Sequence, residues 1–377
     1  MRRRAKGTGM NLSARTSLVK HAITALLVGC VFATPAIVSS TGSAKADTIT
    51  FEDIAGNTAE GSFLAARVAN TDFKHALSAQ LLENALRFKP DEIGIRRSLL
   101  VTYLQAGEFE KAAATAEEFV RDAAMGRTAR LIAYGDHMRA RRYTAASGVL
   151  QIEKPSREMP LELLQDRLLT AWALAGQNKF EEAISLIDSD AEFSWFPLFS
   201  NYHAGLILEA AGQREDAKRR FAQTIEFPRA TATAPDTVFR AIEALTKIHA
   251  QDGEEVRART ALQTGLNMVG NHPPFQALFY RLSETAKVPH VPSVEAGAAE
   301  VFYTLGQAIT RQGAESFSTQ IYRLGLALNE ANDPMRMALA AIYENKDRFA
   351  EANDIYAALT EASVFKTRSE IQMALNF

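Results

Sequence analysis

The sequence predicts an all-α protein, built as a solenoid of stacked antiparallel helix pairs. After about residue 60, Ala, Leu, Glu, Arg and Gln dominate, and apolar residues recur at intervals of three and four, as in amphipathic helices. No clear run of alternating apolar and polar residues, the pattern of a β-strand, interrupts this stretch. A small residue also recurs at intervals near 34 residues, which indicates a repeated helix–turn–helix unit.

The repeat is followed most easily through its small residue. This residue occupies eight positions along the chain: Ser78, Ala112, Ala146, Ala183, Ala217, Ala258, Ser318 and Ala352. Shortly before it, five copies carry a glycine that we expect to end the first helix in a left-handed conformation: Gly107, Gly176, Gly212, Gly253 and Gly313. A single helix pair is too small to bury its own apolar face, so neighbouring pairs must stack against each other.

One copy, HAGLILEAAGQREDAKRRFAQTIEFP from His203 to Pro228, carries the full pattern. Gly205 fills a tight site in the first helix, Gly212 the turn, Ala217 the close contact and Phe221 the packing position. These residues resemble the tetratricopeptide repeat (TPR) family, and the resemblance covers about residues 60–377. It implies a right-handed superhelix of about eight repeats. It also implies that the first helices line a concave groove, which in many family members holds peptides or helices.

The composition of the N-terminus and the spacing of the repeats together predict five parts in the chain. Residues 1–46 form a signal peptide, 47–60 a short extension, 61–270 a first solenoid segment, 271–297 an extra helix with a proline-rich connector, and 298–377 a second solenoid segment. The connector is predicted because the step from Ala258 to Ser318 is 60 residues, and either a hinge or a rigid insert fits it. The second segment ends within a repeat, on a helix that leaves Met373 and Leu375 partly uncovered.

The first 46 residues predict export through the general secretory route. Positive charge precedes an apolar run from Ala22 to Val38, and a small-residue site, Ala44-Lys45-Ala46, follows before Asp47. This order is typical of a secretory signal peptide, with cleavage expected between Ala46 and Asp47. The resemblance to repeat-rich exported proteins of Gram-negative bacteria then implies a periplasmic protein.

Two alternatives remain open at the N-terminus. Leu27-Val28-Gly29-Cys30 has the form of a lipobox, so a lipidated Cys30 would make the protein an outer-membrane lipoprotein subunit of an envelope or peptidoglycan complex. An uncleaved apolar run would instead be a membrane anchor. Apart from these routes, we expect no membrane attachment. Because Cys30 is the chain's single cysteine, cleavage after Ala46 would leave no disulfide and no cysteine nucleophile.

The charge of the chain argues against nucleic acid as a partner. Seven of its 42 basic residues lie in residues 1–46, which hold no acidic residue. The exported part therefore has 35 basic and 44 acidic residues, a formal net charge of −9. Binding to phosphate backbones requires a basic stripe, which this composition does not favour.

The stretch DAEFSWFPLFSNYHAG concentrates five aromatic residues in ten positions. Its first three, Phe193, Trp195 and Phe196, are expected to fill the joint between two repeats. Helix register instead places Phe199 and Tyr202 on the groove side, with packing in the core as the alternative for both. Trp172 from the preceding repeat lies beside them, so the three predict an aromatic patch in the middle of the groove.

The same register predicts the other groove-facing positions. Leu206, Tyr303 and Gln307 share it, as do Arg67 and Arg97. The two arginines would either meet an acidic partner or lie on solvated helix faces. Our candidate binding residues are therefore Trp172, Phe199, Tyr202, Leu206, Arg67 and Arg97. A concave patch with aromatic anchors is typical of a protein or peptide site, and aromatic side chains also stack on envelope glycans.

The sequence holds no recognised catalytic, cofactor or metal motif. The seven histidines are scattered, no HxxH, HExxH or CxxC occurs, and GLNMVGN lacks the Lys and Ser/Thr of a phosphate-binding loop. We therefore predict a non-enzymatic scaffold or adaptor, possessing neither cofactor nor metal, that works in envelope assembly. The alternatives are the Cys30-anchored subunit, or a glycan-binding protein or truncated glycan-acting envelope enzyme.

Overall fold

The computed structural model describes residues 57–189, 193–285 and 289–377, and within these ranges the chain forms helices and no strand. The helices are α1 Ala59–Thr71, α2 His75–Phe88, α3 Ile93–Ala106, α4 Phe109–Phe119, α5 Gly126–Arg139, α6 Tyr143–Leu150, α7 Pro160–Gly176, α8 Phe180–Asp188, α9 Phe196–Ala210, α10 Arg214–Ile225, α11 Ala230–Thr233, α12 Pro235–Gln251, α13 Glu255–Met268, α14 Pro273–Thr285, α15 Val294–Thr310, α16 Glu315–Leu328, α17 Asp333–Glu344, α18 Phe349–Ala357 and α19 Lys366–Leu375. The all-α, TPR-like solenoid predicted from the repeats is confirmed.

Eight antiparallel helix pairs repeat along the described chain. They are α1–α2, α3–α4, α5–α6, α7–α8, α9–α10, α12–α13, α15–α16 and α17–α18, and α19 follows as a first helix without its second. Each pair is joined by a turn with one left-handed residue, five positions before the small residue of the repeat: Phe73, Gly107, Arg141, Asn178, Gly212, Gly253, Gly313 and Asp347. The spacing of the sequence repeat is thus the spacing of these turns.

One predicted turn residue is wrong. Gly176 was assigned to the turn of the fourth repeat, but Asn178 there has the positive φ of 60°. Gly176 instead ends α7, where an added Cβ would lie 2.5 Å from the Tyr143 ring. It is glycine because α6 packs closely against α7. Asparagine tolerates the left-handed region better than most residues, which explains how the turn forms without glycine.

The predicted close contact in the fifth repeat is confirmed. A Cβ on Gly205 would lie 2.5 Å from Phe221, so the bare backbone of α9 lets the ring of α10 pack directly on it. Ala217 and Phe221 are fully buried in the same joint.

The extra helix predicted after residue 270 is α14. Phe275 and Leu278 bury one side of it, whereas Tyr280 is 81% exposed. The connector leads from α14 to α15, and its described part buries His290 and Val291 between the exposed Pro289 and Pro292.

The second solenoid segment packs back onto the first. Helix α15 contacts α7, α9 and α12, and α16 contacts α3, α4 and α5. One hydrophobic cluster therefore runs from Phe73 to Leu359 through both segments. A small second cluster, around Leu82 and Leu99, lies at the N-terminal end.

The second segment also reaches the first repeat. The Tyr343 ring of α17 lies 6.0 Å from the Phe73 ring and 6.0 Å from the His75 ring, both in the α1–α2 turn region. The backbone carbonyl of Gln105 accepts a hydrogen bond of 3.2 Å from Arg323 Nε in α16. The solenoid is closed on itself by these contacts.

The last helix of the chain, α19, is only partly covered. Leu375 of α19 is 73% exposed and Met373 is half-buried. The predicted signal peptide, its Ala46–Asp47 site, Cys30 and most of the extension lie outside the described residues. Among the described helices, none combines the length and the apolar character that a bilayer crossing requires.

Candidate functional site

The aromatic patch predicted in the groove is covered by the protein's own chain. Trp172, Tyr202 and Leu206 are 0% exposed and Phe199 is 2% exposed. Helix α15 lies over Trp172 so closely that a Cβ on Gly297 would fall 2.1 Å from the indole ring. The groove at α7 and α9 therefore holds α15 instead of open solvent.

A chain of hydrogen bonds joins the patch to α15. Trp172 Nε1 donates to His203 Nδ1 at 3.3 Å, and His203 Nε2 lies 3.3 Å from Thr304 Oγ1. The Thr304 hydroxyl in turn donates to the carbonyl oxygen of Glu300 at 2.9 Å. This order requires the proton of the neutral imidazole to sit on Nε2, since Nδ1 accepts. Burial lowers the pKa of His203 to about 3.

Glu300 of α15 is the second link between the segments. Its carboxylate accepts hydrogen bonds from the Tyr202 hydroxyl at 2.9 Å, from Arg240 Nη2 at 2.6 Å and from Asn332 Nδ2 at 3.1 Å. The Glu300 side chain is 1% exposed. Tyr202 thus serves an internal contact between α9 and α15.

These contacts correct the expected geometry of the patch. Trp172, Phe199, Tyr202 and Leu206 do come together on the concave side, but an external partner does not reach them in this conformation. The reason is the return of α15 into the groove, a long-range contact that repeat spacing does not encode. Binding of a partner by these residues stays a prediction.

The two arginines of the predicted site lie apart from the aromatic patch. Arg67 is exposed on α1. Arg97 in α3 is held by Asp122, to which its Nη2 donates at 2.5 Å and its Nε at 3.1 Å. Their predicted contact with an acidic partner is not tested by this geometry.

The other aromatic residues of the stretch pack against one another at the start of α9. Phe196 is buried, and the Phe193 and Trp195 rings pack on it with centroids 5.0 and 4.7 Å away. Trp195 also meets Phe199 edge-on at 5.9 Å.

An open cleft lies further along the same concave side. It encloses about 350 Å³ between α12 on one wall and α17, α18 and α19 on the other, with α15 at its base. Its apolar lining comes from Phe239, Pro274, Tyr303, Pro334, Met337, Ala338, Ala341, Tyr356 and Phe365. The polar lining comes from Asp236, Arg240, Glu243, His272, Gln307, Glu344, Arg368 and Gln372.

A buried ion network forms one side of this cleft. Arg240 donates to Glu243 Oε2 at 2.7 Å as well as to Glu300. His272 Nε2 lies 3.3 Å from Glu243 Oε1. Burial would raise the pKa of Glu243, but the adjacent Arg240 and the His272 hydrogen bond outweigh it and hold the pKa below its usual value.

The groove-facing register predicts part of this cleft but not the rest of its lining. Tyr303 and Gln307 were predicted to face the groove, and both line the cleft. The same register, counted back from the left-handed turn residue, selects Glu243 in α12 and Met337 and Ala341 in α17. The signal that would have located the cleft was therefore present in the repeat.

No group of three or more His, Cys, Asp or Glu side chains that could hold a metal ion occurs in the described ranges. The cleft combines apolar walls with fixed polar groups, the usual composition of a binding site.

Comparisons with known proteins bear on the overall fold. No protein-family model and no curated protein sequence matches the chain. Among solved structures, the chain is similar to the structure of Naa15/Naa10 bound to HypK-THB, at 14% identity and a TM-score of 0.35, covering 85% of this chain and 56% of that one. It is also similar to the APC/C hetero-tetramer Cut9–Hcn1, at 13% identity and a TM-score of 0.32, covering 84% of this chain and 55% of that one.

A third similar structure is the P58(IPK) TPR domain, at 14% identity and a TM-score of 0.23, with 86% of this chain and 90% of that one covered. The chain spans about half the length of the first two. Because identity and structural overlap are this low, nothing that these proteins bind is carried over to this chain.

Proposed function

We propose that this protein is a scaffold that binds a partner protein or peptide in the cleft between α12 and α17–α19. The proposal rests on one observation: part of the concave side is filled by the protein's own chain, and part of it is open. Its middle is filled by α15, and the part lined by Phe239, Tyr303 and Met337 is open. Partner segments bind where apolar anchors and fixed polar groups converge in a concavity.

Site-specific photo-crosslinking tests this proposal. A photoreactive amino acid is placed at Met337 in the cleft or at Val256, which is 81% exposed on α13. We expect one partner to crosslink through Met337 and not through Val256. Capture should be lost in Ala338→Trp, which fills the cleft, and kept in Ala145→Trp, which adds the same ring on the exposed side of α6. Equal capture by both tryptophan variants would contradict a site in the cleft.

We further propose that the scaffold acts in the periplasm as a component of envelope assembly. The support is the charged, apolar and small-residue order of residues 1–46. Cell fractionation and mass spectrometry of the mature N-terminus test this. The proposal predicts a soluble periplasmic protein that begins at Asp47. A lipidated N-terminus at Cys30, abolished by Cys30→Ala, would instead establish the lipoprotein alternative.

A further inference from the structure

Glu344 is an ordered carboxylate at the edge of the cleft. The Tyr356 hydroxyl donates to its Oε2 at 3.0 Å, and Asn376 Nδ2 donates to its Oε1 at 3.0 Å. Gln372 Nε2 lies 3.3 Å from Oε1 and 3.4 Å from Oε2. Three neutral donors thus hold the carboxylate in place without neutralising its charge.

The carboxylate of Glu344 differs in this respect from the other acidic groups of the cleft. Glu243 and Glu300 share Arg240, and Asp236 is paired with Arg311. Among the described residues, no Lys, Arg or His nitrogen forms an ion pair with Glu344. A half-buried carboxylate held by neutral donors favours an added cation, because charge-assisted hydrogen bonds are stronger than neutral ones.

The charge balance of the cleft points the same way. Arg240 is already engaged by the Glu243 and Glu300 carboxylates, and Lys247 also acts on Glu243, so this network leaves a partner neither an unmatched cation nor an unmatched carboxylate. The remaining cation of the lining is Arg368, whose side chain is exposed at the rim of α19. A solvated arginine attracts a partner charge less than an ordered carboxylate, because water screens it and its side chain must first be ordered.

Apolar side chains lie beside this carboxylate in the same cleft. Tyr356, which donates to Glu344, lines the cleft together with Met337 and Phe365. Aromatic and methionine surfaces accommodate the aliphatic stem of lysine or arginine, while the charged end reaches a polar partner.

We infer that the cleft recognises a partner segment with a lysine or arginine next to a large apolar side chain, and that the cation binds Glu344. This inference rests on the proposed function and specifies the chemistry of the partner. In the proposed complex, the partner's apolar side chain packs among Phe239, Tyr303 and Met337. The partner's lysine or arginine forms an ion pair with the Glu344 carboxylate. Arg368, at the rim, opposes the same cation.

Selection of displayed random peptides on the purified protein tests this inference. Peptides whose binding is lost in Ala338→Trp are assigned to the cleft. Their affinities are then measured for wild type, Glu344→Gln, Arg368→Gln and Glu117→Gln, the last of which removes the same charge from an exposed position on α4. Urea unfolding of each variant confirms that it is folded.

The expected result is an enrichment of Lys or Arg beside an apolar residue. Glu344→Gln should weaken these peptides about tenfold, the size expected for one charge-assisted hydrogen bond. Arg368→Gln should leave them unchanged or tighten them, and Glu117→Gln should have no effect. Cleft-binding peptides that are acidic and are weakened by Arg368→Gln would overturn the inference while leaving the proposed function in place. If no selected peptide responds to Ala338→Trp, both the inference and the proposed function fail.

Discussion

At the scale of single residues, the contact between Gly297 and Trp172 decides whether α15 fits the groove. The indole ring occupies the space where any larger residue would place its Cβ, at 2.1 Å. Contact between real side chains never becomes this short, so a substitution must move either the ring or the helix. Small residues of this kind set how closely helices approach each other.

We predict that Gly297→Ala lowers the free energy of unfolding by about 1–3 kcal/mol, because it overpacks the α7–α15 contact. Gly148→Ala is the matched control, since an added Cβ there meets nothing within 4 Å. That change should be neutral or stabilise the protein by up to about 1 kcal/mol, as expected for an exposed helical glycine. Urea titration measures both, and equal effects of the two substitutions would contradict the close contact.

At the scale of elements, α15 is a first helix that has become a core helix. It is buried almost all round, from Ala296 to Gly306, and carries Glu300 as its buried charge. Its polar groups are matched by partners from α9, α12 and the α16–α17 turn, namely Tyr202, Arg240 and Asn332. The His203–Thr304 hydrogen bond belongs to this set of contacts between elements.

The α9–α15 contact should make stability depend on pH through His203. The folded-state pKa of His203 is lowered from 6.5 to about 3, so the fold requires the neutral imidazole. Its contribution is therefore complete above pH 6.5 and is lost as pH falls, by about 1.4 kcal/mol per pH unit. His75, with a pKa lowered to about 4, acts in the same direction.

Comparison of wild type with His203→Gln isolates this one group. We predict that the difference in free energy of unfolding between the two proteins shrinks as pH is lowered from about 7 to about 5. The reason is that only the wild-type protein must keep the His203 imidazole unprotonated in its folded state. Urea unfolding at each pH measures it. A difference that stays constant across this range would show that His203 is not held neutral by the fold.

At the scale of the whole molecule, the protein is a closed body in which the last repeats complete the core of the first. A linear repeat array consists of units that contact their neighbours only, and such an array tolerates shortening. Here Tyr343 meets Phe73 and His75, and Arg323 reaches the backbone of Gln105. Removal of the second segment would expose the apolar floor of the groove along α7 and α9.

We predict that a chain ending at residue 270 is unfolded or aggregated, because Trp172, Phe199 and Tyr202 lose the helix that covers them. A chain ending at residue 361 is the control, since it loses only α19 and should fold. Circular dichroism and binding of a hydrophobic dye measure both. A cooperative unfolding transition of residues 47–270 alone would contradict the shared core.

The sequence predicts the local structure well because local structure is set by short-range pattern. Each small residue lies five positions after a left-handed turn residue, and this spacing holds even where Arg141 and Asp347 replace glycine. Gly176 was misplaced because a glycine under an aromatic ring looks the same in sequence as a glycine at a turn. The register that found Tyr303 also selects Met337 in the cleft.

The return of α15 was not predicted, because it joins positions far apart in the chain. Trp172 and Gly297 are separated by 125 positions, and repeat spacing describes only contacts between neighbouring units. The sequence does contain one sign that α15 is buried, because the segment from Ala296 to Gly306 carries a single charged residue. A helix that is apolar or small on every side is a buried helix.

The most direct test of the account is the exposure of Trp172 in a Trp195→Phe protein, which leaves one tryptophan in the chain. If α15 fills the groove, the fluorescence emission of Trp172 is blue-shifted and is protected from quenching by acrylamide. Both properties are lost when the protein unfolds in urea. Emission at the wavelength of a solvated indole, with free quenching by acrylamide in the folded protein, would contradict the account. It would mean that the groove is open at α7 and α9, and the aromatic patch would again be the first candidate for the partner site.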